Sequence, residues 1–149
     1  MDVKENIKTE WVDLDSLDLN IYNVILDSNF VFITFKYKID LIRELNRIIN
    51  GKYKLYIVDS TIKELQKIYD KKKRDKKYLN LVIKFINLYN VRVIKTKGII
   101  KEKYTDDIIY KIVKNKVLVA SMDKELRKRI KKNAGRVIVF RQKKYLEIQ

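Results

Sequence analysis

Short, continuous apolar runs recur along the chain and predict buried strands. Runs of roughly four to eight residues, bounded by polar positions, are typical of strands that are covered on both faces of a parallel sheet. They lie at residues 23–28, 54–60, 91–96, 116–121 and 136–141. We therefore expect a sheet of about five strands, which the tail of the chain can extend.

Between these runs, apolar residues are spaced by three and four positions, the periodicity of a helix with one buried face. Helices are predicted at about 37–50, from about 61 onward, at about 75–89, at about 105–114 and at 123–133. Strands and helices that alternate in this way form right-handed crossovers. The predicted fold class is α/β: a three-layer α/β/α sandwich around a central, mostly parallel sheet.

Composition narrows the chemistry open to the protein. Its 149 residues favour one domain, and they include no His and no Cys. Ser-His-Asp and Cys-His catalysis, disulfides and Cys/His zinc sites are thereby excluded. The three glycines are too few and too far apart for a nucleotide-binding glycine loop. A bound metal must take oxygen ligands, which suit Mg²⁺, Mn²⁺ or Ca²⁺.

The chain is strongly basic. Its 35 Lys and Arg residues outnumber 19 Asp and Glu residues, and the net charge is +16. This balance favours RNA, DNA or an acidic protein as a partner, although lysine-rich surfaces also arise from compositional bias or adaptation to heat. Basic runs lie at residues 71–77, 127–132 and 141–144.

Residues 1–20 differ from the rest, with six acidic and two basic residues. We predict an acidic N-terminal extension at 1–20 and a single domain at 21–149. The extension either covers a basic binding surface or packs as a structural edge through Trp11 and its apolar neighbours. No apolar run approaches the roughly 18–20 residues of a membrane span, and the N-terminus does not resemble a signal peptide. We therefore expect a cytoplasmic protein with no membrane partner.

Acidic residues follow the predicted strands, where parallel sheets bind ligands. Asp27 ends the first strand, Glu64 lies in the helix after the second, Asp106 and Asp107 open the helix after the third, and Asp123 follows the fourth. Each alone can be a helix cap or a turn residue. Gathered at one edge, they repel one another, and a divalent cation removes that cost. Such a site beside a basic surface predicts metal-assisted phosphodiester hydrolysis.

Helix geometry separates the two neighbouring aspartates. The apolar stripe of the helix is centred roughly 90° from Asp106 and about 170° from Asp107. Asp106 is therefore the better candidate ligand, and Asp107 is a supporting or solvated residue. Asp123 continues the inward line of Leu126 and Ile130, an unusual place for a merely solvated acid.

Four segments resemble the PIN-domain family of nucleases. They are VILDSNF (24–30), STIKEL (60–65), YTDDII (104–109) and VLVASMDKELRKRI (117–130). The resemblance covers about residues 23–146 and is closest to small archaeal PIN proteins and the related ribosome-assembly branch. It implies a metal-dependent ribonuclease for single-stranded RNA, with one or two Mg²⁺ or Mn²⁺ ions.

The resemblance assigns roles residue by residue. The positions matching the family's acids, in order, are Asp27, Glu64, Asp106 and Asp123. Of these, Glu64 is implied to be either a metal ligand or a base that orients water, and the other three are implied to be direct ligands. Asn29 matches a polar residue two positions after the first acid. Ser121 matches a hydroxyl residue two positions before the last, where Thr is frequent.

Several functions fit these residues. The leading hypothesis is an endoribonuclease in rRNA processing or RNA turnover. Lys124 and Arg127 are candidates for holding phosphates, although for each residue alone a solvated helix face is the more common explanation. Tyr104 is a candidate for stacking on a base. The alternatives are a non-catalytic RNA-binding module in ribosome assembly, a toxin-type ribonuclease with a small antitoxin, and a DNA-directed nuclease. The resemblance also implies a homodimer as a possible assembly.

Overall fold

The computed structural model describes residues 1–71, 76–113, 117–133 and 135–149. Within these ranges the strands are Trp11–Asp13 (β1), Tyr22–Leu26 (β2), Tyr53–Val58 (β3), Arg92–Lys95 (β4), Val117–Ala120 (β5), Arg136–Arg141 (β6) and Tyr145–Ile148 (β7). The helices are Val3–Asn6 (α1), Ser28–Lys36 (α2), Leu41–Ile48 (α3), Asp59–Lys71 (α4), Lys76–Leu88 (α5), Thr105–Ile112 (α6) and Lys124–Lys132 (α7).

The strands form one sheet in the order β1-β4-β3-β2-β5-β6-β7. Every pairing is parallel except that of β6 with β7, in which Arg141 lies opposite Tyr145. The predicted, mostly parallel sheet is therefore confirmed, and all five predicted strands are present. The two additional strands lie at the sheet edges: β1 is only three residues long, and β7 is the tail that extends the sheet.

Helices cover both faces of the sheet, which confirms the three-layer sandwich. Alternate residues of each strand point to opposite faces. Val24 and Leu26 of β2 contribute to a core with helices α2 to α5, whereas Ile25 between them contributes to a second core with α6 and α7. The two cores explain why the central strands read as continuous apolar runs.

The first predicted helix differs from the observed structure. The pattern at 37–50 corresponds to the shorter helix α3, which Asp40 caps by accepting from the Arg43 N–H at 3.1 Å. Helix α2, which precedes it, was not predicted. Its sequence SNFVFITFK is apolar around most of its circumference, so it lacks the polar stripe from which helical periodicity is recognised.

Residues 1–13 pack against the rest of the fold. Val3 and Ile7 are buried in the first core. The Gln66 side chain accepts from the Val3 N–H at 2.8 Å and donates to the Met1 carbonyl at 3.1 Å. Strand β1 then pairs with β4, with Trp11 beside Val93. Of the two alternatives for the extension, the structure shows the packed edge.

Among the described residues, no helix combines the length and the apolar character needed to cross a membrane.

Candidate active site

The predicted acids lie where the order of the strands reverses. Strand β2 is paired with β3 on one side and with β5 on the other, so successive crossovers leave β2 in opposite directions. Asp27 directly follows β2, and Asp123 lies just beyond β5. In open parallel sheets, such a switch point is the usual place for a ligand, because the loops part there and leave a crevice.

Ser121 connects these two aspartates. Its buried hydroxyl donates to a carboxylate oxygen of Asp27 at 3.0 Å and accepts from the Asp123 backbone N–H at 3.0 Å. Asp27 is itself only 6% exposed. Burial raises the pKa of Asp27, and the charge of Asp123 raises it further, while the Ser121 hydrogen bond acts in the opposite direction. Ser121 thus orients the Asp27 carboxylate and partly offsets the cost of keeping it ionised.

Of the four predicted acids, Asp106 has the pKa that its surroundings raise most clearly. Its pKa is raised to about 7, first by burial, then by its hydrogen bond with the Asp123 carboxyl, and then by the charges of Asp27 and Glu64. The pKa of Asp123 is lowered, chiefly by the Leu126 N–H, because Asp123 also caps helix α7. The structure therefore brings Asp106 within electrostatic reach of the other three predicted acids.

Glu64 is half-buried, and one of its carboxylate oxygens is buried without a hydrogen-bond donor. Its Oε1 has no partner among the described residues. Burial raises the pKa of Glu64, and the charge of Asp27 adds to that effect. Helix α4 begins at Asp59, and the Thr61 hydroxyl is likewise without a partner in the described chain. The capping-box explanation of Thr61 and Glu64 is therefore wrong, and Glu64 remains available to a ligand.

This donor set fits a hard divalent cation in its chemistry. It offers carboxylate oxygens, raised pKa values at Asp27, Glu64 and Asp106, and a buried acceptor that lacks a donor. In the described part of the chain, no three acidic side chains already converge to metal-binding separations. Like charges stay apart unless a cation neutralises them. In their chemistry these residues fit a divalent cation, which would offset the repulsion between their carboxylates.

Helices α6 and α7 are joined by an ion pair between Asp107 and Arg129. Asp107 accepts from the Arg129 guanidinium at 2.7 Å, and that guanidinium lies 4.3 Å from the centre of the Tyr110 ring. Asp107 thus supports the two helices that carry Asp106 and Asp123.

The other predicted site residues lie nearer the surface. Asn29 and Lys124 are exposed, and Tyr104 is 68% exposed. Arg127 is half-buried, and its charge contributes to the lowered pKa of Asp123. In the predicted basic run at 71–77, residues 72–75 lie outside the described residues.

Sequence reasoning missed Asp59, a further acid at this edge. Its carboxylate accepts from the Thr96 N–H at 2.8 Å, the Lys97 N–H at 3.0 Å and the Thr96 hydroxyl. Burial acts to raise the pKa of Asp59, but these hydrogen bonds outweigh it and the pKa is lowered. Asp59 is therefore structural and ties α4 to the end of β4. One feature of the sequence could have pointed to Asp59: like Asp27, it is followed by Ser and lies at the end of a predicted strand.

Replacing Asp59 is expected to destabilise the fold. Asp59→Ala removes an ionised acceptor from the backbone N–H groups of Ser60, Thr96 and Lys97 and from the Thr96 hydroxyl. A hydrogen bond to a charged group contributes about 1.5–3 kcal/mol. We expect the free energy of unfolding to fall by about 2 kcal/mol, measured by urea denaturation. Asp15→Ala, at an exposed position, serves as the control and should change it by less than about 0.5 kcal/mol. Equal stability of both variants would contradict the structural role of Asp59.

Comparison with known proteins agrees with the fold and the sequence resemblance. A family model described as a PIN-like domain matches residues 24–143. Ribonuclease VapC4 of Methanocaldococcus jannaschii is 34% identical over 132 residues, which span 85% of this chain and 96% of that protein. A solved structure of the PIN domain endonuclease Utp24 has a TM-score of 0.71 at 24% identity, covering 89% of this chain and 95% of that one. The predicted resemblance is confirmed, and the chain belongs to the family of PIN-like domains.

Proposed function

We propose that the protein is a metal-dependent endoribonuclease that hydrolyses phosphodiester bonds of single-stranded RNA. The observation that carries the proposal is the crowding of Asp106 with Asp27, Glu64 and Asp123 in a chain of net charge +16. Burial first, and these neighbours after it, raise the pKa of Asp106 to about 7. A cluster of acids is costly in the absence of a cation. The relative named a ribonuclease supports the same activity.

The proposed site divides the work among its residues. Asp27, Asp106 and Asp123 would hold one or two Mg²⁺ or Mn²⁺ ions, and Glu64 would be a further ligand or would orient water. A bound ion of this type lowers the pKa of water and stabilises charge on the attacking and leaving oxygens. Ser121 fixes the Asp27 carboxylate and the start of α7 together. Arg127, whose charge acts on Asp123, would contact a phosphate, together with the exposed Lys124.

Three biological roles are compatible with the proposed nuclease: rRNA processing, RNA turnover, and the toxin of a toxin–antitoxin pair. The intact set of four acids favours a catalytic protein over an RNA-binding module that lacks activity. A small antitoxin, a ribosome-assembly partner and a homodimer each predict a distinct mass for the purified native complex. Measuring that mass would separate a paired toxin from a processing enzyme.

The direct test of activity uses end-labelled single-stranded RNA incubated with Mg²⁺, with Mn²⁺ or with EDTA. We expect cleavage with either metal and none with EDTA. A DNA strand of the same sequence is the matched substrate control and should remain intact. Cleavage of DNA at an equal rate would favour the DNA-directed alternative, and cleavage that persists in EDTA would contradict metal dependence.

Ser121→Ala is expected to slow cleavage about tenfold. The substitution removes one hydrogen bond from Asp27 and one from the Asp123 backbone, and loss of about 1.4 kcal/mol of transition-state stabilisation corresponds to a factor of ten. Ser121→Thr keeps the hydroxyl and should retain most of the activity. The measurement is the single-turnover rate at saturating Mn²⁺, and equal rates for the Ala and Thr variants would contradict a positioning role.

A further inference from the structure

A cavity of about 490 Å³ lies beside the carboxylate edge. Its walls come from four parts of the chain: the N-terminal segment, the start of helix α4, the end of β4 with the segment that follows it, and helix α6. A volume of this size accommodates a small organic group, since ligand pockets typically measure about 300–1,000 Å³. The cavity is therefore large enough for a nucleotide.

The cavity has a surplus of positive charge. The lysines that line it are Lys4, Lys63, Lys95, Lys97 and Lys103. Its two acids, Asp59 and Glu102, are both engaged, by the Thr96 and Lys97 backbone and by Lys111 at 3.2 Å respectively.

Three of these lysines are free to contact a ligand. Lys95 pairs with Asp13 at 3.4 Å, and Lys4 lies over the Trp11 ring. Lys63, Lys97 and Lys103 form no ion pair with any described residue. Unpaired ammonium groups around a pocket favour a ligand with negative charge, and phosphate is a natural one.

Trp11 adds an aromatic surface to the same cavity. It is the single tryptophan of the chain, and it is held in strand β1 by pairing with β4 and by packing against the first core. Its ring is half-buried and lines the cavity, with the Lys4 ammonium 5.1 Å from the ring centre. An aromatic ring in a cavity that is also lined by lysines is an arrangement by which proteins hold unpaired bases of single strands, and a base stacked on Trp11 would take the place of the Lys4 ammonium.

The cavity adjoins the proposed active site. Ser60 lines it, and the Ser60 hydroxyl is hydrogen-bonded to that of Thr105 at 2.8 Å. Thr105 directly precedes Asp106, and Ile108 of the same helix also lines the cavity. A strand bound at the carboxylates can therefore continue into this cavity along the same edge of the sheet.

We propose that this cavity binds one nucleotide of a single-stranded RNA, with the base stacked on Trp11 and the phosphates contacted by Lys63, Lys97 and Lys103. The RNA as occupant rests on the proposed function, whereas the binding itself does not require catalysis. An acidic peptide would satisfy the lysines but would gain nothing from the aromatic face. The N-terminal segment thus contributes to substrate binding, even though it is acidic as a whole.

The intrinsic fluorescence of Trp11 reports on the cavity directly, because no other tryptophan contributes. We would titrate the full chain in EDTA with oligouridylate, with an abasic ribose-phosphate strand of equal length, and with polyglutamate. Oligouridylate is expected to quench the fluorescence, and the abasic strand is expected to quench it much less. No quenching by oligouridylate, or equal quenching by polyglutamate, would overturn the proposal.

Substitutions test the aromatic surface and the lysines of the cavity separately. The binding of labelled RNA is measured by fluorescence anisotropy. Trp11→Leu keeps an apolar side chain but removes the stacking face, and should weaken binding about tenfold, whereas Trp11→Phe should restore most of it. Replacing Lys97 and Lys103 with Gln should reduce the slope of log affinity against log salt by about 1.4. The matched control replaces the exposed Lys52 and Lys84 with Gln, and should leave the slope unchanged.

The outcomes distinguish this proposal from the proposed function. If wild-type protein cleaves RNA in Mn²⁺ but Trp11→Leu and the Lys97/Lys103 variant bind as tightly as wild type, the cavity proposal fails and the nuclease stands. If the protein cleaves no RNA in any metal but oligouridylate still quenches Trp11 and Trp11→Leu weakens binding, the cavity proposal stands and the nuclease fails.

Discussion

Asp106→Asn is expected to abolish RNA cleavage and, at the same time, to stabilise the metal-free protein. A metal contributes several kcal/mol to the hydrolytic transition state, so loss of this ligand should slow cleavage by at least about 100-fold. The neutral amide also replaces a carboxylate whose charge is disfavoured first by burial and then by the neighbouring acids, which together raise the pKa of Asp106 to about 7. Because the side chain is only half-buried and solvent screens it, we expect a gain of about 1 kcal/mol.

The same substitution should change how stability depends on pH. A carboxyl group whose pKa is higher in the folded than in the unfolded chain binds more protons when folded, so rising pH favours unfolding. For Asp106 this interval runs from about 4, the usual value, to about 7. In EDTA, the free energy of unfolding of wild type should fall across that interval, and Asp106→Asn should flatten the decline.

Urea denaturation in EDTA and RNA cleavage in Mn²⁺, measured on one preparation, test both effects together. Asp15→Asn is the matched control, since Asp15 is exposed and lies outside the proposed site. It should leave cleavage and stability at wild-type values. An Asp106→Asn protein that cleaves RNA normally, or that is less stable than wild type in EDTA, would contradict the proposed role.

Divalent cations are expected to raise the melting temperature of the wild-type protein. A ligand at 100 times its Kd stabilises the folded state by about 2.7 kcal/mol. For a domain of about 150 residues, 1 kcal/mol shifts Tm by roughly 2–4 °C. Mn²⁺ at such a concentration should therefore raise Tm by about 5–10 °C, and excess EDTA should reverse the rise.

Asp27→Asn tests whether that stabilisation arises at the proposed site. The variant keeps the shape of a side chain that is 6% exposed but removes its charge. It should lose most of the metal-induced rise in Tm, measured by differential scanning calorimetry. NaCl of equal ionic strength controls for general screening of the basic surface. An equal rise in wild type and variant would place the bound metal elsewhere.

The sequence predicted the central sheet because its strands are buried on both faces. Val24, Ile25 and Leu26 all lie in cores, on alternate sides, so the strand reads as an unbroken apolar run. The edge strand β1 escaped prediction because three residues of mixed polarity carry no periodicity. Helix α2 escaped because its apolar residues surround it, and strand and buried helix cannot be told apart on such a pattern.

The sequence was sufficient to predict that the four acids lie at one edge of the sheet, but not to predict their burial or their hydrogen-bond partners. Chain order and the strand ends sufficed to bring Asp27, Glu64, Asp106 and Asp123 to one edge of the sheet. Sequence could not show that Asp123 both caps α7 and faces Asp106, or that Glu64 Oε1 is buried without a donor. Those properties depend on side-chain packing between elements far apart in the chain. Asp59 illustrates the opposite case. It lies at the same edge, but hydrogen bonds from Thr96 and Lys97 stabilise its ionised form and lower its pKa.

The single most direct measurement is the rate at which end-labelled single-stranded RNA is cleaved at saturating Mn²⁺ by wild type, Asp27→Asn and Asp15→Asn. We expect wild type and Asp15→Asn to cleave at equal rates, and Asp27→Asn to be slower by at least about 100-fold while binding the RNA with similar affinity. Cleavage by Asp27→Asn at the wild-type rate would contradict a catalytic centre built on these carboxylates.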